Sequence, residues 1–137
     1  MADTSVPAPS ARTTVRRGAN RVLYAQNDTK AILDAGMIAH VSVQTPDGPL
    51  VLPMAYGRDD DTLYLQRAAD THILGTGTAH QICATVTHID GLVMARTPFH
   101  NSMNYRSVVV RGLATKIGDK AAKLRALKII TNHVVEN

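Results

Sequence analysis

Between residues 37 and 56 the chain alternates apolar and polar positions with a short interruption. "MIAHVSVQT" reads as a strand, "PDGP" (46–49) as a turn and "LVLPMAY" as the returning strand, which predicts a β-hairpin. "GRDDD" (57–61) predicts the next turn and "TLYLQ" a third strand. "RAADTHILGTGTA" breaks the alternation with a short helical turn near Asp70–Leu74, then glycines. "HQICATVTH", "LVMAR" and "NYRSVVVRGLATKI" predict three more strands, with "IDG" a tight turn, "TPFHNSM" a loop and a bend at Gly112. Two stretches have helical spacing. "NDTKAILDAG" predicts a short helix capped by Asn27 or Asp28, with Ile32 and Leu33 inward and Gly36 as its stop. "GDKAAKLRALKIITNHVVEN" predicts an amphipathic helix with Ala121, Leu124, Leu127 and Ile130 or Thr131 on one stripe. Six strands joined mainly by short turns, without the long helices a parallel sheet needs, predict an all-β core with flanking helices, an antiparallel meander curled into a barrel.

One strand carries a misfit. In "SMNYRSVVVRG", Arg106 shares a face with Val108 and Val110, where an unpaired guanidinium is costly to bury. Either a rim salt bridge or an anion reached at the mouth of the core answers it.

Composition narrows the partners. The 137 residues, 45% hydrophobic, suit one domain, and no apolar run spans a membrane. Residues 1–20 read as a disordered tail without a secretory core, and 21–137 as the folded domain. The single cysteine, Cys83, forms no internal disulfide, which points to a reducing cytoplasm, and mid-strand it reads as a small hydrophobe. A net charge of +4 favours an anionic partner. With four Tyr, one Phe and no Trp there is little for base stacking, so nucleic acid is not the expected partner.

The candidate chemistry is sparse. The six histidines show no metal-ligand spacing, so no metal is expected. "GTGTAH" does not sit between a strand and a helix as a dinucleotide fingerprint requires, and Asp59–Asp61 reads as a solvated turn. Two segments remain. "LYLQRAADTHIL" leaves a strand for a short helix whose first amides, with Thr71 and His72, could hold a phosphate, and Arg106 with Ser107 could add a bidentate fork.

Together, "GMIAHVSVQTPDGPLVLPMAYGRDDDTLYLQRAADTHIL" and "FHNSMNYRSVVVRGLA" resemble the pyridoxamine 5'-phosphate oxidase-related flavoproteins, in particular the nitroimidazole-resistance-type subgroup, over roughly residues 20–133. The resemblance implies an FMN-binding split β-barrel, a homodimer with flavin between subunits and two-electron redox of a small organic substrate. It places Leu52, Pro53, Met54 and Tyr56 along the isoalloxazine ring. Leu65, Gln66, Arg67, Thr71, His72, Ile73, Arg106 and Ser107 would approach the ribityl chain and phosphate, and His72 is the one titratable candidate proton donor. Gln66 and Arg67 stand where relatives carry His and a small residue, Ile73 stands where they carry Lys, and relatives run further at the C-terminus. Other readings are a non-catalytic binder of deazaflavin or haem, and a truncated inactive homologue.

Overall fold

The computed structural model describes residues 6–66 and 79–136. Helix α1 (Gln26–Asp34) leads into strands β1 (Ile38–Thr45), β2 (Gly48–Asp59) and β3 (Thr62–Leu65). Strands β4 (His80–Val93) and β5 (Ser102–Ala114) follow, and α2 (Lys120–Glu136) ends the chain. All pairings are antiparallel, in the order β3-β2-β1-β4-β5. The β1–β2 turn sets its own register, because Gly48 sits at φ +115, a conformation glycine adopts without cost. From that turn the ladder runs unbroken from Thr45–Gly48 to Ile38–Ala55.

The sheet has two unlike faces. On the inner face Ala39, Val41, Val43, Met54, Tyr56, Ala84, Val86 and Val108 are buried, and Leu33 of α1 closes over them. Each valine, leucine and methionine among them contributes roughly 1.5–3 kcal/mol when fully buried. On the outer face the alternate positions Ile38, Val51, Tyr105, Val109 and Leu113 are exposed. The fold class is the expected one, an antiparallel split-barrel sheet with flanking helices.

Several details differ from expectation. There are five strands among the described residues, not six, because "IDG" is not a turn. Pairing shifts from Ile89–Tyr105 to Gly91–Asn104, so Asp90 is a bulge and β4 runs straight through. Gly112 pairs in regular register with Ile82, so β5 has no break there. Strand β2 continues through Asp59, and the turn falls at Asp60, whose φ of 50 a short polar side chain tolerates. Because β1 pairs with β4 as well as with β2, the strands do not form a simple meander. The helical turn expected near Asp70–Leu74 lies outside the described residues.

Both helices are seated differently too. Helix α1 starts at Gln26 without a side-chain cap, although Asp28 lies in its first turn, where the helix dipole favours a carboxylate. Helix α2 is capped by Asp119, whose Oδ2 accepts the Ala122 N–H at 2.8 Å. It buries Ala126 and Ile130, while Leu124 and Leu127 of the expected stripe are exposed. Gly57 explains the phase: a Cβ there would lie 2.9 Å from the backbone of Ile129 and Ile130, so helix and strand meet backbone to backbone. The acidic β2–β3 turn is a tie point, with Lys30 2.8 Å from Asp60 and 2.9 Å from Asp61, and Arg125 2.9 Å from Asp59. The segment before α1, expected as a tail, is described from residue 6. Its Arg12 donates to Gln81 Oε1 at 3.1 Å, and its Val15 N–H to the Tyr24 hydroxyl at 2.9 Å.

Substituting Gly57→Ala should lower thermal stability by about 1–3 kcal/mol, the usual cost of overpacking. Thermal unfolding followed by circular dichroism checks this; an unchanged melting temperature would refute the backbone-to-backbone seating of α2.

Candidate functional site

The site begins where α1 ends. The last carbonyls of a helix have no partner within it. Here two of them, and the carbonyl of Gly36 just beyond, are met by side chains from three other elements. The Tyr56 hydroxyl on β2 donates to Leu33 O, His88 Nε2 on β4 lies 2.9 Å from Ile32 O, and His133 Nε2 on α2 meets Gly36 O. Carbonyls only accept, so both histidines carry their proton on Nε2 in these bonds. Gly36 fits because it has no side chain: a Cβ would lie 2.6 Å from Val86 Cγ1 and 2.7 Å from the Tyr56 hydroxyl.

This wedge parts two strands. The β1–β4 ladder covers His40–Ser42 against Thr85–Cys83 and stops. Beyond it lies a cavity of about 310 Å³, lined by Ala35, Gly36, Met37, Ile38 and His40 on one side and Val86, Thr87 and His88 on the other. That is the low end of the volumes that hold small ligands, roughly 300–1,000 Å³. Its outer rim carries hydroxyls. Thr87 Oγ1 lies 2.9 Å from Ser107 Oγ, and Thr85 Oγ1 donates to Val108 O at 3.0 Å. Around them stand Ile38, Val51, Tyr105 and Val109, all exposed. The result is a flat apolar face with a small polar centre beside a cleft.

The expected site residues divide between the two faces. Met54 and Tyr56 are core, and Leu52 and Leu65 pack against it. Pro53 is exposed on the outer face, opposite His40. Gln66 is exposed, its N–H bonded to Ala55 O at 2.9 Å. Arg67, Thr71, His72 and Ile73 lie outside the described residues. Ser107 pairs with Thr87 on the outer face, whereas Arg106 pairs with His88 across the inner one, so these neighbours point opposite ways. Arg106 forms a bidentate salt bridge with the bulged Asp90, with Nε–Oδ2 and Nη2–Oδ1 both 2.9 Å. That bond holds the Asp90 carboxyl below the usual carboxylate range. Of the two answers to Arg106's position, the structure contains the rim salt bridge.

His40, Thr87 and His88 were not singled out by sequence reasoning. The first was within reach: the "PDGP" turn sets the hairpin register, which places His40 opposite Pro53. The other two depend on the β1–β4 pairing, which no local signal announces.

A family model described as pyridoxamine 5'-phosphate oxidase matches residues 26–137, covering both helices, the whole sheet and the cleft. The chain belongs to this family. Among solved structures, the pyridoxamine 5'-phosphate oxidase-family chain is similar to the flavocytochrome Anf3 from Azotobacter vinelandii, with 36% identity and a TM-score of 0.80. That match covers 92% of this chain and 59% of the other. An FAD and heme binding protein from Mycobacterium smegmatis is 26% identical with a TM-score of 0.70, covering 80% of this chain and 53% of the other. A 5-nitroimidazole antibiotic resistance protein from Bacteroides thetaiotaomicron VPI-5482 is 26% identical with a TM-score of 0.69, covering 85% of this chain and 70% of the other. The chain thus spans less than two thirds of the first two. No curated protein sequence matches it. Among the described residues no helix is long and apolar enough to cross a membrane.

The wedge leaves an electrostatic mark. Burial, and then the nearby charge of Asp34, push the Tyr56 hydroxyl up to about 12. A group raised in the folded state contributes stability in full below its unfolded value, near 10 for tyrosine, and loses it as pH rises through the folded value. Tyr56→Phe should therefore be less stable than wild type at pH 7, by about 1 kcal/mol, since Leu33 O keeps the Gly36 N–H. The deficit should shrink between pH 10 and about 12, where only the wild type loses its Tyr56 contribution. Urea unfolding across that range checks it, and a constant deficit would refute the assignment.

Proposed function

We propose that this chain is the flavin-binding unit of a redox protein, with FMN as cofactor, a homodimer as the working form and a small organic molecule as substrate. Membership of the family supports a flavin. The observation that carries the reading is the outer sheet face, where exposed Ile38, Val51, Tyr105 and Val109 surround the Thr87–Ser107 hydroxyl pair.

The residues present fit such a group. An isoalloxazine needs a flat apolar support and a few hydrogen-bonding groups at its polar edge. Pro53, Ile38 and Val109 would form the support, and Thr87, Ser107 and His40 the polar edge. Met54 and Tyr56, buried on the inner side, would hold that floor rigid without touching the ring. When bound, a flavin supplies two-electron redox chemistry, which the protein positions and tunes. Leu65, Gln66, Arg67, Thr71 and Ile73 would serve the ribityl and phosphate end, and His72 would donate a proton to the reacting group. A contiguous exposed apolar face marks an interaction surface, and a second copy would cover it and exclude water from the cleft. The single free Cys83 suits a cytoplasmic setting.

A second reading, haem binding, is favoured by one observation. His80 Nε2 is buried and has no hydrogen-bond partner among the described residues, and an imidazole nitrogen is the commonest haem ligand type.

Titration with FMN should quench flavin fluorescence saturably and raise the melting temperature. Thr87→Val and Ser107→Ala should each weaken binding by roughly 2- to 10-fold, one hydrogen bond's worth, while Arg106→Gln, on the opposite face, should leave it within about 2-fold. Absence of saturable quenching would overturn the flavin reading. A Soret band on haem addition, lost in His80→Ala, would replace it with the second.

A further inference from the structure

Arg106 proves to be satisfied, and the other arginine of "YRSVVVRG" does not. Arg111 stands on the outer face of β5 directly opposite Cys83. Among the described residues it has no ion pair or side-chain hydrogen bond, unlike Arg58, Arg106 and Arg125, which each have a carboxylate. Arg111 lines a groove of about 440 Å³ between the N-terminal segment and the β4–β5 edge, and Arg12 lines the same groove from the other bank. Arg12 is held there by Gln81 Oε1 at 3.1 Å through Nη2, which leaves the rest of its fork uncommitted. Ser10 and Thr13 also line it, with their hydroxyls 3.2 Å apart and Thr13 Oγ1 donating to the Ser10 carbonyl. No carboxylate lines the groove.

We propose that this groove binds a phosphoryl group, the phosphate or pyrophosphate end of a small organic ester. A guanidinium from each bank matches a dianion with several oxygens, since each planar fork engages two of them at once. A carboxylate would occupy one fork and leave the other unpaired. The proposal stands on the groove's own geometry and does not rest on the flavin reading. The phosphoryl group could belong to a flavin cofactor or to a separate ester, and both present the same chemistry to the two arginines.

Arg12 provides the second variant. Its side chain is exposed and bonds the Gln81 side chain, so Arg12→Gln should remove the charge from that bank without disturbing the fold. Inorganic pyrophosphate, titrated into the full chain at fixed ionic strength, should raise the melting temperature saturably. Arg111→Gln should weaken this binding by roughly tenfold or more, as expected for a charge-assisted hydrogen bond removed. Arg12→Gln should weaken it comparably, while the ligand-free protein melts close to wild type. Two further arms identify the source. If Arg111→Gln weakens FMN but not riboflavin, the group held is the flavin's own phosphate. If pyrophosphate binds FMN-saturated protein as well as free protein, the groove takes a separate ester. Either result supports a phosphoryl site. No saturable shift, or a shift that survives both substitutions, overturns it.

Discussion

Everything near the cleft depends on how the last turn of α1 is held. Its end is not closed by a left-handed residue. Instead Tyr56, His88 and His133 reach in from two strands and the other helix to take the carbonyls of Leu33, Ile32 and Gly36. A buried carbonyl without a partner costs about 1–3 kcal/mol, so these bonds select one position for the helix. Gly36 completes the fit by allowing Val86 and Tyr56 to approach its backbone more closely than a side chain would permit.

That single placement has consequences on both faces of the sheet. Inside, Leu33 closes the core over Val41, Val86 and Val108. Outside, β1 and β4 separate beyond His40 and Thr85, and the gap becomes a cleft instead of being closed by ladder hydrogen bonds. The split that gives the fold its character is thus made by packing at one helix end. The ion pairs around the acidic β2–β3 turn help to orient the same assembly. The Arg58 guanidinium, 2.7 Å from Asp34 through Nε, holds that carboxyl below its usual range. Exposed pairs of this kind are each worth only about 0–1 kcal/mol, so they refine the arrangement and do not create it.

Much of the sheet could be read directly from the chain, because the alternation around "PDGP" and the valine-rich run of β5 are local signals. What could not be read is non-local. "IDG" has the composition of a turn, yet opposite a long continuous β5 it becomes a bulge, and only the partner strand decides which. The phase of α2 was ambiguous because apolar residues occupy more than one face of it. Gly57, far earlier in the chain, selects Ala126 and Ile130. Arg106 and Ser107 were expected to serve one ligand, but neighbouring residues of a strand face opposite ways, and Asp90 claims the arginine. The family resemblance was legible through ordered motifs. The cleft residues Thr87 and His88 were not, because they depend on the β1–β4 pairing, which joins strands distant in the chain.

If the end of α1 is fixed by contacts from three elements, it cannot open without opening the sheet. Native-state hydrogen exchange resolved to the Ala35 and Gly36 amides, which are bonded within α1, tests this most directly. The account predicts that both exchange only through the same large opening that releases the central β1 amides, with matching denaturant dependence. Exchange at a markedly lower free energy, insensitive to denaturant, would show that the helix end frays on its own. The cleft would then owe its shape to something else.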